Sequence, residues 1–127
     1  MFDKPMLLMI GTSLTILEIS KPIMDTTGME VVTSCSDYRK QTKGIAKLKP
    51  AAVIIWGVND ADDFLEFVRS WEGSDHKPFF VVTTCYRDVY RSWDGRLPEN
   101  AYPILEPVSA VSLKELIQTS VMQGDLL

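Results

Sequence analysis

The groups that could do chemistry in this chain collect at the ends of short apolar runs. Gly11-Thr12-Ser13 follows Pro5 to Ile10, Trp56-Gly57 follows Ala51 to Ile55, Thr83 closes the run from Phe79, and Glu106-Pro107 follows Tyr102 to Leu105. In an open parallel α/β sheet, ligands and reacting groups sit just beyond the carboxyl ends of the strands, so these tips are where chemistry would be found. They offer the hydroxyls of Thr12, Ser13 and Thr83, the carboxylate of Glu106 and the indole N–H of Trp56. No nucleophile–base pair can be assembled from that set, which predicts a chain that is not an enzyme. Gly11-Thr12-Ser13 at a helix start could hold a small anion, but Glu106 would oppose it. An indole wall with hydroxyls beside it could instead stack and orient a planar small ligand, and a pocket of several hundred Å3 would favour that reading.

Other residue groups were weighed against plainer roles. His76, the sole histidine, stands in the turn Ser74-Asp75-His76-Lys77 without a second histidine or a cysteine close in sequence, so no metal site is expected. Asp60, Asp62 and Asp63 precede an apolar helical stripe and are read as capping and dipole-compensating acids. Arg39, Lys40, Lys43 and Lys47 put positive charge along a second helix, either as a solvated face or as a surface for an acidic partner. The chain has no Gly-x-Gly-x-x-Gly, P-loop or Gly-x-Ser-x-Gly motif, and no cofactor is expected. Tyr86, Arg87, Tyr90, Arg91 and Trp93 are the richest run of interface-type residues. Tyr86, Tyr90 and Trp93 are spaced i, i+4, i+7, so a helix would align them. The alternative is that Val89 and Trp93 cap the core while Arg87 and Arg91 are solvated.

The elements that must position these groups alternate along the chain. Five short β-type runs span Pro5 to Ile10, Met29 to Thr33, Ala51 to Trp56, Phe79 to Thr83 and Tyr102 to Leu105. Their nearly continuous apolar character predicts parallel strands buried on both faces. Between them lie helical stripes: Ile16, Leu17, Ile19, Ile23 and Met24 behind a Thr12/Ser13 cap and interrupted by Pro22; Tyr38, Ile45 and Leu48, loosened by Gly44; and Phe64, Phe67, Val68 and Trp71. A last helix is expected to open on the capping box Ser112-Leu113-Lys114-Glu115. Between the fourth and fifth strands, Asp94-Gly95 and Leu97-Pro98 leave room for at most two helical turns, so a shortened or irregular fourth helix is expected. The alternation implies right-handed crossovers and helices on both faces of the sheet.

A length of 127 residues fits one domain over residues 1–127, with no linker or repeat. The 46% hydrophobic and 24% charged content are those of an ordinary globular chain. A net charge of −4 provides no basic excess for general nucleic-acid binding. No apolar run approaches the roughly 20 residues of a membrane span, and Met6 to Ile10 is too short for a signal-peptide core. Cys35 and Cys85 have no motif spacing and are read as reduced, core-type residues; the expected location is the cytoplasm.

This order of elements resembles the response-regulator receiver domain, the flavodoxin-like fold of the chemotaxis regulator. The resemblance covers about residues 5–123 and is carried by Gly28 before strand two, Pro50 before strand three, Pro78 before strand four, Thr83 at its end and Pro107 after strand five. It implies a (βα)5 three-layer sandwich with a five-stranded parallel sheet in the order 2-1-3-4-5. In receivers an aspartate at the end of strand three accepts a phosphoryl group, two acids after strand one help hold magnesium, and a lysine before the last proline pairs with the phosphoryl group. The matching positions here are Trp56, then Gly11 and Thr12, then Glu106. An acyl phosphate needs a carboxylate nucleophile and magnesium needs hard oxygen ligands, so the acceptor chemistry is excluded at this site. Thr83 alone matches the family's switch Ser/Thr. The loop after the acceptor is replaced by Val58-Asn59-Asp60-Ala61-Asp62.

The expected function is that of a non-phosphorylatable pseudo-receiver, a signalling module acting through a protein partner, with homodimerisation as one form this can take and no nucleic-acid or membrane partner. Gly11, Thr12, Trp56, Thr83 and Glu106 would form a vestigial phosphorylation pocket. Trp56 would fill it as a core aromatic, its N–H bonded to a carbonyl or to Glu106, or else lie partly exposed and anchor a partner. The Tyr86–Trp93 segment falls on the face that receivers use for signalling and dimerisation, by analogy.

Overall fold

The computed structural model describes residues 4–122. Five parallel strands form one sheet: β1 Met6–Gly11, β2 Glu30–Cys35, β3 Ala52–Ile55, β4 Phe79–Thr84 and β5 Ala101–Leu105. Their spatial order is β2-β1-β3-β4-β5, as the resemblance implies. The helices are α1 Leu14–Met24, α2 Thr42–Leu48, α3 Ala61–Arg69, α4 Arg87–Ser92 and α5 Ala110–Ile117. At six residues α4 is the shortened helix that Asp94-Gly95 predicted.

Two apolar layers sandwich the sheet because successive strand side chains point to opposite faces. Leu8, Ile10, Val53, Ile55, Phe80 and Val82 face Ile45 of α2, Phe64 and Phe67 of α3, and Trp93. Leu7, Met9, Ala52, Ile54 and Val81 face Leu17 and Met24 of α1 and Leu113 and Ile117 of α5. The central strands β1, β3 and β4 are buried nearly throughout. The outer strands correct the expectation of uniform burial: β2 and β5 are half-exposed, because each has a neighbour on one side only.

β5 also shows how an edge is closed to further pairing. Phe80 N donates to Asn100 O and Glu106 N to Thr84 O, so the even-numbered residues of β5 turn their amides toward β4. Pro103 therefore presents its nitrogen to the open side, the position at which a proline loses nothing from the ladder.

Several local expectations change. α1 is capped by Ser13, which accepts from Ile16 N at 3.4 Å, and runs through Pro22 to Met24. Its buried line is Leu17, Ser20 and Met24, whereas Ile19 is 65% exposed and leaves the expected stripe. α5 is capped by Ser109, which accepts from Val111 N and Ser112 N, so Ser112 lies inside the helix rather than at its start. Both cysteines are free thiols at exposed strand ends instead of core residues: Cys35 closes the edge strand β2 and Cys85 follows β4.

Candidate functional site

The strand tips are tied together through one threonine. Thr83, fully buried at the end of β4, accepts from Gly57 N at 2.9 Å and donates its own hydroxyl to Glu106 Oε2 at 3.3 Å. Its carbonyl accepts from Val58 N at 2.8 Å. The turn after β3 is thus pinned to β4 on both sides of the Thr83 peptide, with Gly57 at φ +73° supplying a conformation that side chains resist. The Thr83 hydroxyl's one proton and one of its two lone pairs are spent internally, and Glu106 holds it from the β5 side.

Trp56 follows β3, with its amide donating to Ile10 O at 2.9 Å. Its indole is half-buried and packs on the α1/α5 side of the sheet with Ile104, Val108 and Ala110. Gly11 makes room for it: a Cβ there would stand 3.1 Å from Trp56 Cβ. The indole Nε1 is buried without an acceptor, which corrects the expected bond to a carbonyl or to Glu106. The ring rests against the apolar layer under α1 and α5, and the Glu106 carboxylate is taken by Thr83.

A cleft of about 150 Å3 opens between β1 and β3, lined by Gly11, Thr12, Trp56 and Asn59 together with the turn after β2. That turn supplies what sequence reasoning missed. Arg39 forms a bidentate pair with Asp37, Nη2 to Oδ2 at 2.7 Å, and reaches Asp63 on α3 through Nη1, also at 2.7 Å. Asp60 alone caps α3, accepting from Asp62 N and Asp63 N at 3.0 Å, while the Asp63 side chain serves the ion pair rather than the cap. Arg39 likewise leaves the solvated face on which it was placed. The hydrogen bonds from its side chain and then its backbone N–H hold Asp37 below the ordinary carboxylate range, and Asp37 in turn raises the Arg39 guanidinium. Tyr38 lies edge-on to Phe67 and Phe64, at 5.1 and 6.0 Å between ring centres. Burial first, and then the Asp63 charge, push its phenol well above the usual tyrosine range. The one signal for this cluster was the Asp37-x-Arg39 spacing; its third member is 24 residues away.

The cleft's chemistry is limited. Arg39 is held between the carboxylates of Asp37 and Asp63, and at about 150 Å3 the cleft falls below the several hundred Å3 of ordinary ligand sites. Among the described residues no three His, Cys, Asp or Glu side chains converge as a metal-ligand set. His76 Nε2 lies 2.6 Å from Pro50 O and fastens its turn to the sheet.

The second candidate surface is α4 with β5. Tyr86 (54% exposed), Arg87, Tyr90 (37%) and Arg91 face outward, whereas the exposed Tyr102 of β5 lies with Val81 and Ile104 on the α1/α5 side of the sheet. A surface hollow of about 210 Å3 between Tyr90, Arg91, Asp94 and Pro103 connects helix to strand. Trp93 does not belong there. It is 1% exposed, donates Nε1–H to Ala61 O at 3.1 Å and packs edge-on against Phe64. Val89 and Trp93, four residues apart, share the core side of this segment, whereas Tyr86, its extended N-cap, lies outside the helical spacing.

No protein-family model and no curated protein matches the chain. Solved structures do. A CheY-like response regulator receiver domain from Methanospirillum hungatei superimposes with a TM-score of 0.67 at 17% identity, over 97% of this chain and 98% of that one. The signal receiver domain of a putative LuxO repressor protein from Vibrio parahaemolyticus gives 0.73 at 16%, over 97% and 94%. The chemotaxis response regulator CheY4 of Vibrio cholerae gives 0.68 at 16%, over 91% and 98%. At these identities the likeness is one of fold: the chain has the flavodoxin-like architecture of receiver domains over nearly its whole length.

Proposed function

We propose that residues 1–127 form a receiver-like signalling domain of a two-component-type system that works without aspartyl phosphorylation, through protein–protein contacts rather than turnover. The observation that carries this reading is the joint replacement of acid, acid, acceptor and lysine by Gly11, Thr12, Trp56 and Glu106 around a retained Thr83. Two features support it. The Thr83 hydroxyl is already occupied by Gly57 and Glu106, so no phosphate is needed to draw it inward. Trp56 occupies the end of β3, and a carboxylate at Glu106 would repel a phosphoryl group. The domain would then hold one conformation instead of shifting between two populations.

The proposed contact surface is Tyr86, Arg87, Tyr90 and Arg91 of the α4 segment, a set of exposed tyrosines and arginines of the kind that anchors interfaces. The partner is another signalling protein or a second copy of this chain, in the cytoplasm.

The acceptor chemistry is tested by incubating the chain with acetyl phosphate and magnesium and recording its intact mass. No adduct is expected; a hydroxylamine-labile phosphoryl adduct would overturn the reading. For the surface, partner capture and elution volume should change in Tyr86→Ala and Tyr90→Ala while folding stays intact. Unchanged capture and unchanged assembly in both variants would remove this face from the proposal.

A further inference from the structure

Local preferences on α2 run against the helix they belong to. It has seven residues, no side chain caps its start, and Gly44 stands inside it. Lys43 and Lys47 repel each other at i, i+4, and the helix ends on Lys49 in the left-handed region at φ 50°, where glycine is usual. Only Ile45 anchors it to the core. Violations of local rules that gather in one element and bring no gain in packing mark a surface shaped by something other than stability.

What these residues share is charge. Lys40, Lys43, Lys47 and Lys49 are all exposed, and none lies in ion-pair range of a carboxylate among the described residues. The neighbouring acids Asp37 and Asp63 are committed to Arg39. Four free ammonium groups thus crowd ten residues of a chain whose net charge is −4. Beside them Leu48 is 41% exposed, a single apolar contact at the rim of the patch.

We propose that α2 is a docking surface for an acidic segment of a partner protein. The proposal is independent of the α4–β5 face. Charge complementarity selects an anionic occupant, and extent selects its class. Seven helical residues rise about 10 Å, the reach of a short peptide segment with carboxylates on one side and an apolar residue to cover Leu48. A membrane or a nucleic acid is anionic over a far larger area. Either would also meet the exposed Asp62 and Glu66 of α3, which covers the same face of the sheet. The patch has no aromatic side chain on which a base could stack.

The test uses the full chain and a fluorescein-labelled octapeptide of six glutamates and two leucines, followed by fluorescence anisotropy at low salt. Saturable binding that weakens with salt is expected. Lys43→Glu/Lys47→Glu should weaken it by about tenfold or more, whereas Lys21→Glu/Lys114→Glu, the same change in net charge on α1 and α5, which cover the opposite face of the sheet, should weaken it less than about threefold. Circular dichroism confirms that both variants are folded. Absence of saturable binding, equal loss in the two variants, or tighter binding to phosphatidylserine vesicles or single-stranded DNA than to the peptide would each overturn the proposal.

Discussion

The three tryptophans should respond differently to the same substitution. Trp93 is buried with its N–H bonded to Ala61 O at 3.1 Å, whereas Trp56 and Trp71 bury the same donor with no acceptor. In Trp93→Phe the protein loses a hydrogen bond worth about 0.5–1.5 kcal/mol and gains a void where the larger ring stood, roughly another 1–2 kcal/mol. The sum is a destabilisation of about 1.5–3.5 kcal/mol. In Trp56→Phe the lost packing is smaller, about 1 kcal/mol, because the indole is only half-buried, and removing an unsatisfied donor returns about 1–3 kcal/mol. The net change should run from about zero to about 2 kcal/mol of stabilisation, and Trp71→Phe, with more to lose in packing, should fall between the two. Urea unfolding followed by far-UV circular dichroism, which does not depend on the tryptophan count, measures all three. If Trp56→Phe is as damaging as Trp93→Phe, the Trp56 N–H has a partner and the account of its environment is wrong.

Two further outcomes follow from the site. Thr83→Val keeps the shape but strands Gly57 N–H and frees Glu106; a loss of about 1–3 kcal/mol is expected in the same urea assay, and a change below about 0.5 kcal/mol would show that this hydroxyl does not hold the tips together. Asp37 has its folded-state pKa lowered from 3.8, chiefly by Arg39, so its stabilising contribution is fully present above that value and is lost as the pH falls through the lower folded one. Stability measured against pH should therefore fall less steeply below 3.8 in Arg39→Gln than in the native chain, and identical acid limbs would count against the pairing.

Readability from sequence followed the range of the interaction. Ala52–Ile55 and Phe79–Thr84 are recognisable because burial on both faces leaves an unbroken apolar run. The short α4 was signalled by Asp94-Gly95, a local breaker. Trp93 follows Val89 by four residues and so shares its core side, and the i, i+4, i+7 spacing fails at Tyr86, whose extended backbone precedes the first helical turn. Ser109 and Ser112 both suit a cap, and the choice between them rests on where the chain leaves Pro107, a matter of tertiary path. Arg39 joins Asp37, two residues away, to Asp63, and no periodicity connects a turn after β2 with the first turn of α3. The exposure of Cys35 follows from β2 being an outer strand, a property of sheet order rather than of the residues around it.

The proline in β5 limits what kind of association its edge can support. A sheet grows by backbone exchange that is nearly indifferent to side chains, and such growth has no natural end. With the donor of residue 103 missing in mid-strand and Ala101 N already bonded to Pro98 O, the open side offers little for a foreign strand to copy. Recognition there falls to side chains such as those around the hollow that Pro103 borders with Tyr90, Arg91 and Asp94, which makes it finite in stoichiometry and alterable one side chain at a time.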